Sequence, residues 1–314
     1  MPRTPSPFAS VLALLALAIS PGSAADSPTI GAVPTYACIG LTWAGASAPA
    51  DLVRDADCRM DYRAKGATAW RAGLALWYDA RDGEYRGSLV NLAAGTTYEV
   101  RLTLQDGTVG TVEATTWSEH PRILKTIELP ASSDETLTIS ESGSADGYVL
   151  YTAGAKGSTI DVGKRQDFNV VVNASHVIVR GLTLRGARHS GILLGPGAKT
   201  NDADISDVII EGNDISAWGT DARNDPAMVA KYGNTAVYGG NMQAAVFSRS
   251  TPLRRVVIQR NRMHNPSTDS NSWKERNCAA GGTSHPWGPQ AISIFGSQGN
   301  LVVRYNEIWS DPDH

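Results

Sequence analysis

The chain has 314 residues, with 28 Lys plus Arg against 31 Asp plus Glu, a formal charge of −3, 42% hydrophobic residues and 19% charged ones. Apolar content at this level rules out wholesale disorder, and the length suits one large domain or two ordinary ones. The slightly acidic balance excludes a dedicated nucleic-acid binder, which would carry a basic excess, and low charge with 31 glycines favours strands and turns over helices.

Residues 1–25 read as a secretion signal. Arg3 gives the positive start, Val11–Ile19 is a short apolar run, and Pro21-Gly22-Ser23-Ala24-Ala25 gives the breaker and the small residues that cleavage needs. The run is about half of the ~20 apolar residues a membrane span requires, and no later segment reaches that length. The expectation is an exported protein, extracellular or periplasmic, with no membrane partner and with cysteines free to oxidise.

Residues 33–117 alternate like short strands between turns. Ile39–Trp43 and Cys58–Arg63 are two such strands; Leu92, then Gly95-Thr96, then Tyr98 opening an alternating strand is the pattern of a tyrosine corner; Val112–Trp117 closes the set. With Trp43, Tyr62-Arg63, Leu92, Gly95-Thr96, Tyr98 and Ala114-Thr115-Thr116, this stretch of about 85 residues resembles a fibronectin type III domain, which implies a β-sandwich without chemistry of its own. Cys38 and Cys58 are expected on neighbouring strands, where a bridge closing a loop of about 20 residues would contribute roughly 3 kcal/mol.

Residues 122–314 contain a repeat. His176–Leu184, Asp207–Ile215, Arg255–Met263 and Asn300–Ile308 align as three apolar residues, two variable ones, an Asn, a polar residue and an apolar one. Another apolar run precedes each: Val170–Val172, Gly191–Leu194, Ala244–Phe247 and Ala291–Ile294. Three short strands per unit with internal repetition indicate a solenoid whose equivalent positions stack as ladders. Asn213, Asn261 and Asn306 fall at a bend, where Asn tolerates left-handed backbone and stacked carboxamides can bond along the ladder. This Asn ladder resembles the right-handed parallel β-helix of the pectate-lyase-like superfamily. The first unit departs from it, with Leu182 at the Asn position. About four full coils are visible, so the fold class is all-β: a sandwich followed by a right-handed parallel β-helix. The chain ends at Asp311-Pro312-Asp313-His314 without a cap, and the expectation is that the natural protein continues, with catalytic residues beyond residue 314.

The units are unequally spaced, and the surplus sits in one kind of connection, from the third short strand back to the next first strand. Two consecutive coils carry long insertions there, about 217–242 and 264–289. Long loops in a compact domain point to function. In families of this fold, loops from this edge wall a polysaccharide groove over the first sheet. Trp218, Tyr232, Trp273 and Trp287 are aromatic platforms for sugar rings, and Gln243 and Gln290 are amides for hydroxyls. A polysaccharide is therefore the expected partner.

β-Elimination on a uronate needs a base for the C5 proton and a cation for the neighbouring carboxylate. Lys231, Lys274, Arg276 and His285 are of the right types and are the candidate catalytic residues. A Lys acting as base would need its pKa depressed by burial or by other cations. Hydrolysis would instead use two carboxylates, for which Asp221, Asp225, Asp269 and Glu275 lie in the same insertions. Those acids also offer oxygen ligands to Ca²⁺, although no spaced acidic motif is present and no cofactor is demanded. His264, Cys278 and His285 lack the tight pairing of a zinc site. The leading reading is a polysaccharide lyase acting as a monomer; the alternatives are a glycoside hydrolase and a non-catalytic glycan-binding or adhesin β-helix.

Overall fold

The computed structural model describes residues 29–49, 58–195, 204–219, 243–248, 252–267 and 289–311. Among them every regular element is a strand, β1 to β25, and the chain divides into two compact units at Thr116/Trp117.

The first unit has two four-stranded antiparallel sheets. One runs in the order β1 (Thr29–Pro34), β2 (Cys38–Ala44), β6 (Glu84–Val90), β5 (Trp77–Asp79); the other runs β4 (Arg71–Ala72), β3 (Cys58–Ala64), β7 (Thr97–Leu104), β8 (Val109–Thr115). Strict alternation decides which side chains go inside. Strand β2 buries Ile39, Leu41 and Trp43, β7 buries Tyr98, Val100, Leu102 and Leu104, and both sets share one core with Met60, Leu76, Tyr85 and Leu89. The Tyr98 phenol accepts the Ala93 N–H at 2.9 Å, five residues upstream, as a tyrosine corner requires. Strand β1 begins at Thr29, ahead of the boundary at residue 33 expected from the sequence.

The expected Cys38–Cys58 bridge is corrected by the same alternation. The two thiols are not joined. Cys38 has the parity opposite to Ile39, Leu41 and Trp43, so it faces outward, paired with Val90. Cys58 has the parity of Met60 and faces inward, paired with Leu104 in the other sheet. A disulfide needs facing Cβ atoms about 4 Å apart, and outward and inward faces of separate sheets do not supply them.

The second unit is a three-sheet parallel coil. Sheet 1 stacks β11 (Leu137–Ile139), β14 (Phe168–Val172), β17 (Ser190–Leu194), β20 (Ala244–Ser248) and β23 (Gln290–Ile294). Sheet 2 stacks β9 (Ile123–Leu129), β12 (Tyr148–Ala153), β15 (Val177–Arg180), β18 (Ile205–Glu211), β21 (Leu253–Gln259) and β24 (Leu301–Arg304). Sheet 3 stacks β10 (Ser132–Ser133), β13 (Thr159–Asp161), β16 (Thr183–Arg185), β19 (Asp214–Ser216), β22 (Arg262–His264) and β25 (Glu307–Trp309). The chain visits sheets 2, 3 and 1 in turn, so each strand pairs with its equivalent one coil on. This is the path of a parallel β-helix.

Inward positions form aliphatic ladders in register. Val177, Val208, Val256 and Leu301 make one in sheet 2; Ile160, Leu184, Ile215, Met263 and Ile308 make another in sheet 3; Ile192, Val246 and Ile292 make a third in sheet 1. Each such side chain, when buried, contributes roughly 1.5–3 kcal/mol.

The Asn ladder forms as expected. Asn213 Nδ2 donates to Val179 O and to Asn261 Oδ1, both at 3.0 Å. Asn261 Nδ2 donates to Ile210 O and to Asn306 Oδ1, both at 3.0 Å. At the ladder's end the Leu182 N–H donates to Asn213 Oδ1 at 3.1 Å. One expectation is corrected: the left-handed residue at this bend is the one before the Asn. Gly181, Gly212, Arg260 and Tyr305 have φ of 71°, 63°, 55° and 57°. The Asn stays in ordinary backbone, which aims its carboxamide inward along the stack. A second set of left-handed residues, His176, Asp207, Arg255 and Asn300, stands directly before the sheet 2 ladder of Val177, Val208, Val256 and Leu301 at φ 53°, 57°, 52° and 55°, with Asp207 and Arg255 inside β18 and β21.

Candidate functional site

A third corner follows sheet 3, and both insertions rise from it. Gly186, Ala217 and Asn265 turn the chain there with φ of 69°, 52° and 48°. Backbone bonds stack these turns: the Ala217 N–H donates to Asn265 O at 2.9 Å, and the Ser267 N–H donates to Trp218 O at 2.8 Å. The described chain breaks after Gly219 and resumes at Gln243, then breaks after Ser267 and resumes at Pro289. The returning ends also meet, the Gln290 N–H donating to Gln243 O at 2.8 Å. Stacked coils thus place the two departures beside each other and the two returns beside each other.

One side chain ties the departures together. Lys164 lies one coil below Ala187 and two below Ala217, just past the third strand of its own coil. Its Nζ donates to Ala217 O at 2.6 Å, to Gly219 O, to Ser267 Oγ and, at a longer 3.4 Å, to Ala187 O. Loss of water around the ammonium pulls Lys164 down to about 8, with Asp161 opposing. The residue as a whole is exposed, so the stem stays in water while the head sits among oxygens.

The outer face of sheet 1 is apolar. Val171, Leu193 and Phe247 are in register, followed by Ser293 on β23. Leu193, Ala244 and Phe247 are buried there, with Phe168 and Val171 packed against them. At the edge of this strip His189 is buried between the rings of Phe168 and Phe247, at centroid distances of 5.5 and 5.0 Å. Its Nδ1 is 2.7 Å from the buried Ser190 Oγ, which accepts the Ala244 N–H at 3.1 Å. The Ser190 hydroxyl has a second lone pair and one proton left for His189 Nδ1, so either atom can be the donor.

A separate polar cluster covers the outer face of sheet 3. Asp214 takes His264 Nε2 at 3.1 Å and Arg262 Nη1 at 3.6 Å, and the His264 ring stacks on Trp309 with centroids 4.5 Å apart. These partners pair at a partly solvated surface, where such pairs contribute up to about 1 kcal/mol each, while His264 Nδ1 is buried without a hydrogen-bond partner among the described residues.

The four candidate catalytic residues, Lys231, Lys274, Arg276 and His285, lie outside the described residues, as do Tyr232, Trp273, Trp287, Asp221, Asp225, Asp269, Glu275 and Cys278. Trp218 is corrected: at 2% exposure it belongs to the inner core of the coil, so its ring faces are packed and offer no platform to a sugar. Gln243 is fully buried against Gly219, where an added Cβ would come within 2.4 Å of its Oε1, so its amide serves the departing corner. Gln290 is half-buried at the start of β23. Among the described residues no three His, Cys, Asp or Glu side chains gather as a cation site. Lys164 and His189 escaped the sequence reading because neither sits in a repeated or spaced motif; the Gly163-Lys164 turn was the sole local sign.

No family model matches the chain. No curated protein matches it either. Among solved structures it is similar to a pectate lyase of Pectobacterium carotovorum, at 9% identity over 76% of this chain and 79% of that one, with a TM-score of 0.21. It is similar to a second pectate lyase, of Erwinia chrysanthemi, in complex with tetragalacturonic acid, at 10% identity over 90% and 99% of the two chains, TM-score 0.21. The chain is also similar to a redesigned β-sandwich protein, at 19% identity over 30% of this chain and 96% of that one, TM-score 0.22. Likeness at this level says nothing of activity.

Proposed function

We propose that the chain is an exported, polysaccharide-active β-helix protein of right-handed winding, the near-universal sense of parallel crossovers, with a fibronectin type III-like module in front. The reaction proposed is β-elimination on a uronate-containing glycan. One observation supports this above the rest: two insertions leave consecutive coils at the same corner and return side by side next to sheet 1. A binding groove requires neighbouring walls, and a regular stalk has no use for them.

In this reading the insertions supply the chemistry. Lys274 and Arg276, one residue apart, lower each other's affinity for a proton, which prepares Lys274 as the base for C5 and leaves Arg276 to hold the uronate carboxylate. Lys231 and His285 are the remaining candidates for base and for protonation of the leaving oxygen. Tyr232, Trp273 and Trp287 stack on the sugar rings, and Gln290 reaches a hydroxyl. Ca²⁺ on Asp221, Asp225, Asp269 or Glu275 is an alternative neutraliser, and two of those acids would serve a hydrolase.

The test is substitution by Ala at Lys274, Arg276 and His285, with turnover of uronate polysaccharides as readout. Solenoid stability resides in the stacked coils, so thermal unfolding should be unchanged. Loss of a transition-state contact lowers kcat by about 10²-fold or more. Parental turnover in all three variants would overturn the assignment.

A further inference from the structure

We propose that Lys164 is a positioning residue: a single ammonium, from an earlier coil, that fixes the two corner segments from which the insertions depart. The inference deepens the reading above by naming a residue that sets its geometry, and it stands on described atoms alone. Ala217 O and Gly219 O belong to the first departing segment and Ser267 Oγ to the second, and all three bond to the one Nζ. The other links between the two segments are weaker in reach: two backbone bonds, from Ala217 N to Asn265 O and from Ser267 N to Trp218 O, and a long 3.5 Å bond from Ser267 Oγ to Ala217 O.

Donor arithmetic explains why a lysine is suited to this place. A charged ammonium has three N–H groups, and they match three oxygens: two carbonyls and a hydroxyl. A neutral amine has two N–H groups and a lone pair. The two N–H groups then serve Ala217 O and Gly219 O, and the lone pair accepts the Ser267 hydroxyl proton. The clamp is therefore satisfied in either protonation state. Asp161, on the third strand of the same coil, is the charged group acting on Lys164. Ala187, Ala217, Gly219 and Ser267, from the coils above, bring no charge. An alanine in place of Lys164 would leave three oxygens to water and let the two segments part.

The corner also explains why the clamp sits at the departures and not at the returns. Gly219 leaves at φ 84° and Ala217 turns at φ 52°, so this stretch has two left-handed residues within three and few bonds of its own. The returns are held by the sheet 1 ladder, where Ala244 pairs with Gln290.

The experiment is hydrogen–deuterium exchange on the full chain without substrate, comparing the parent with Lys164→Met and Lys164→Arg. Methionine keeps the stem and removes every donor; arginine keeps donors. The expected result is that Lys164→Met loses protection at the Ala217 and Ser267 amides together, by about tenfold or more, while amides in sheets 1 and 2 are unchanged. Lys164→Arg should restore protection at both. With a uronate glycan that is turned over, Lys164→Met should raise KM more than it lowers kcat, because it misplaces walls without touching the reacting atoms. Unchanged exchange at both amides, or loss at one alone, overturns the clamp. Absence of turnover in the parent counts against the lyase reading and leaves the exchange result to decide on Lys164.

Discussion

Replacing Asn261 by Leu removes one rung of the ladder while keeping its shape. Leu182 occupies the equivalent rung one end down and is buried at 1% exposure, so the stack accepts a leucine there sterically. Four hydrogen bonds at 3.0 Å end on the Asn261 carboxamide: two into Oδ1 from the Asn213 N–H and Nδ2, and two from its Nδ2 to Ile210 O and Asn306 Oδ1. Three of the abandoned groups, on Asn213 and Ile210, lie in the fully buried interior. At about 1–2 kcal/mol per orphaned group the loss is roughly 3–6 kcal/mol, and the added apolar burial returns about 1 kcal/mol. The net expectation is destabilisation by about 2–5 kcal/mol. Asn306→Leu supplies the control. It abandons the Asn261 N–H and Nδ2 and Ile258 O; these belong to buried residues, but the rung they face is half-exposed and lets water in from one side, so a smaller loss of about 1–2 kcal/mol is expected. Urea unfolding of the full chain reads both as shifts of midpoint at constant slope. If Asn261→Leu costs no more than Asn306→Leu, the buried ladder does not hold the coils as argued.

Gly212 has φ 63° and an added Cβ would meet nothing, so Gly212→Ala isolates the backbone cost and should destabilise by about 1 kcal/mol, read by thermal unfolding. Arg260→Gly, at φ 55° on the next coil, should be neutral or stabilising by up to about 1 kcal/mol, its exposed pair with Glu119 counting for little. In the native protein Cys38 should be alkylated readily and Cys58 slowly, read by mass spectrometry; a linked peptide pair would restore the bridge that the parity of the strands excludes. Lys164 titrates near 8 when folded and at its ordinary 10.5 when unfolded, so between these values the unfolded chain binds the extra proton and stability rises with pH. Water at this exposed corner reduces the effect to about 1 kcal/mol, and the rise should be missing from Lys164→Met in thermal melts taken from pH 7 to 10.5.

The repeat was legible because ladders force identical residue types onto identical positions. Val177, Val208, Val256 and Leu301 align in sequence for the same reason that they pair in sheet 2. The Asn rungs were legible for that reason too. The left-handed corners were not: a ladder of Gly, Gly, Arg and Tyr has no common chemistry, since the requirement is on backbone and two side chains simply bear the strain. Of the early strands, β9, β10 and β13 carry polar residues at exposed positions, so no apolar run marks them. Parity along Cys38–Trp43 did foretell that Cys38 faces outward, a clue that spacing between cysteines alone conceals. For the site, the edge of insertion was readable from unequal spacing. Which aromatics stay at the surface was not, because Trp218 is drawn inside by its place one residue past a left-handed turn. Lys164 was invisible because all its partners but Ser267 Oγ are backbone oxygens, which no sequence displays.

The most direct measurement of the central claim is incubation of the full chain with a panel of uronate polysaccharides, following the ultraviolet absorbance of unsaturated uronate ends alongside the release of reducing sugar. Elimination predicts that both signals rise together on at least one glycan and that both fall in the Lys274→Ala and Arg276→Ala variants. Reducing ends that appear without unsaturated ones would contradict elimination and identify a hydrolase, and neither signal on any uronate glycan would contradict catalysis on this class of substrate.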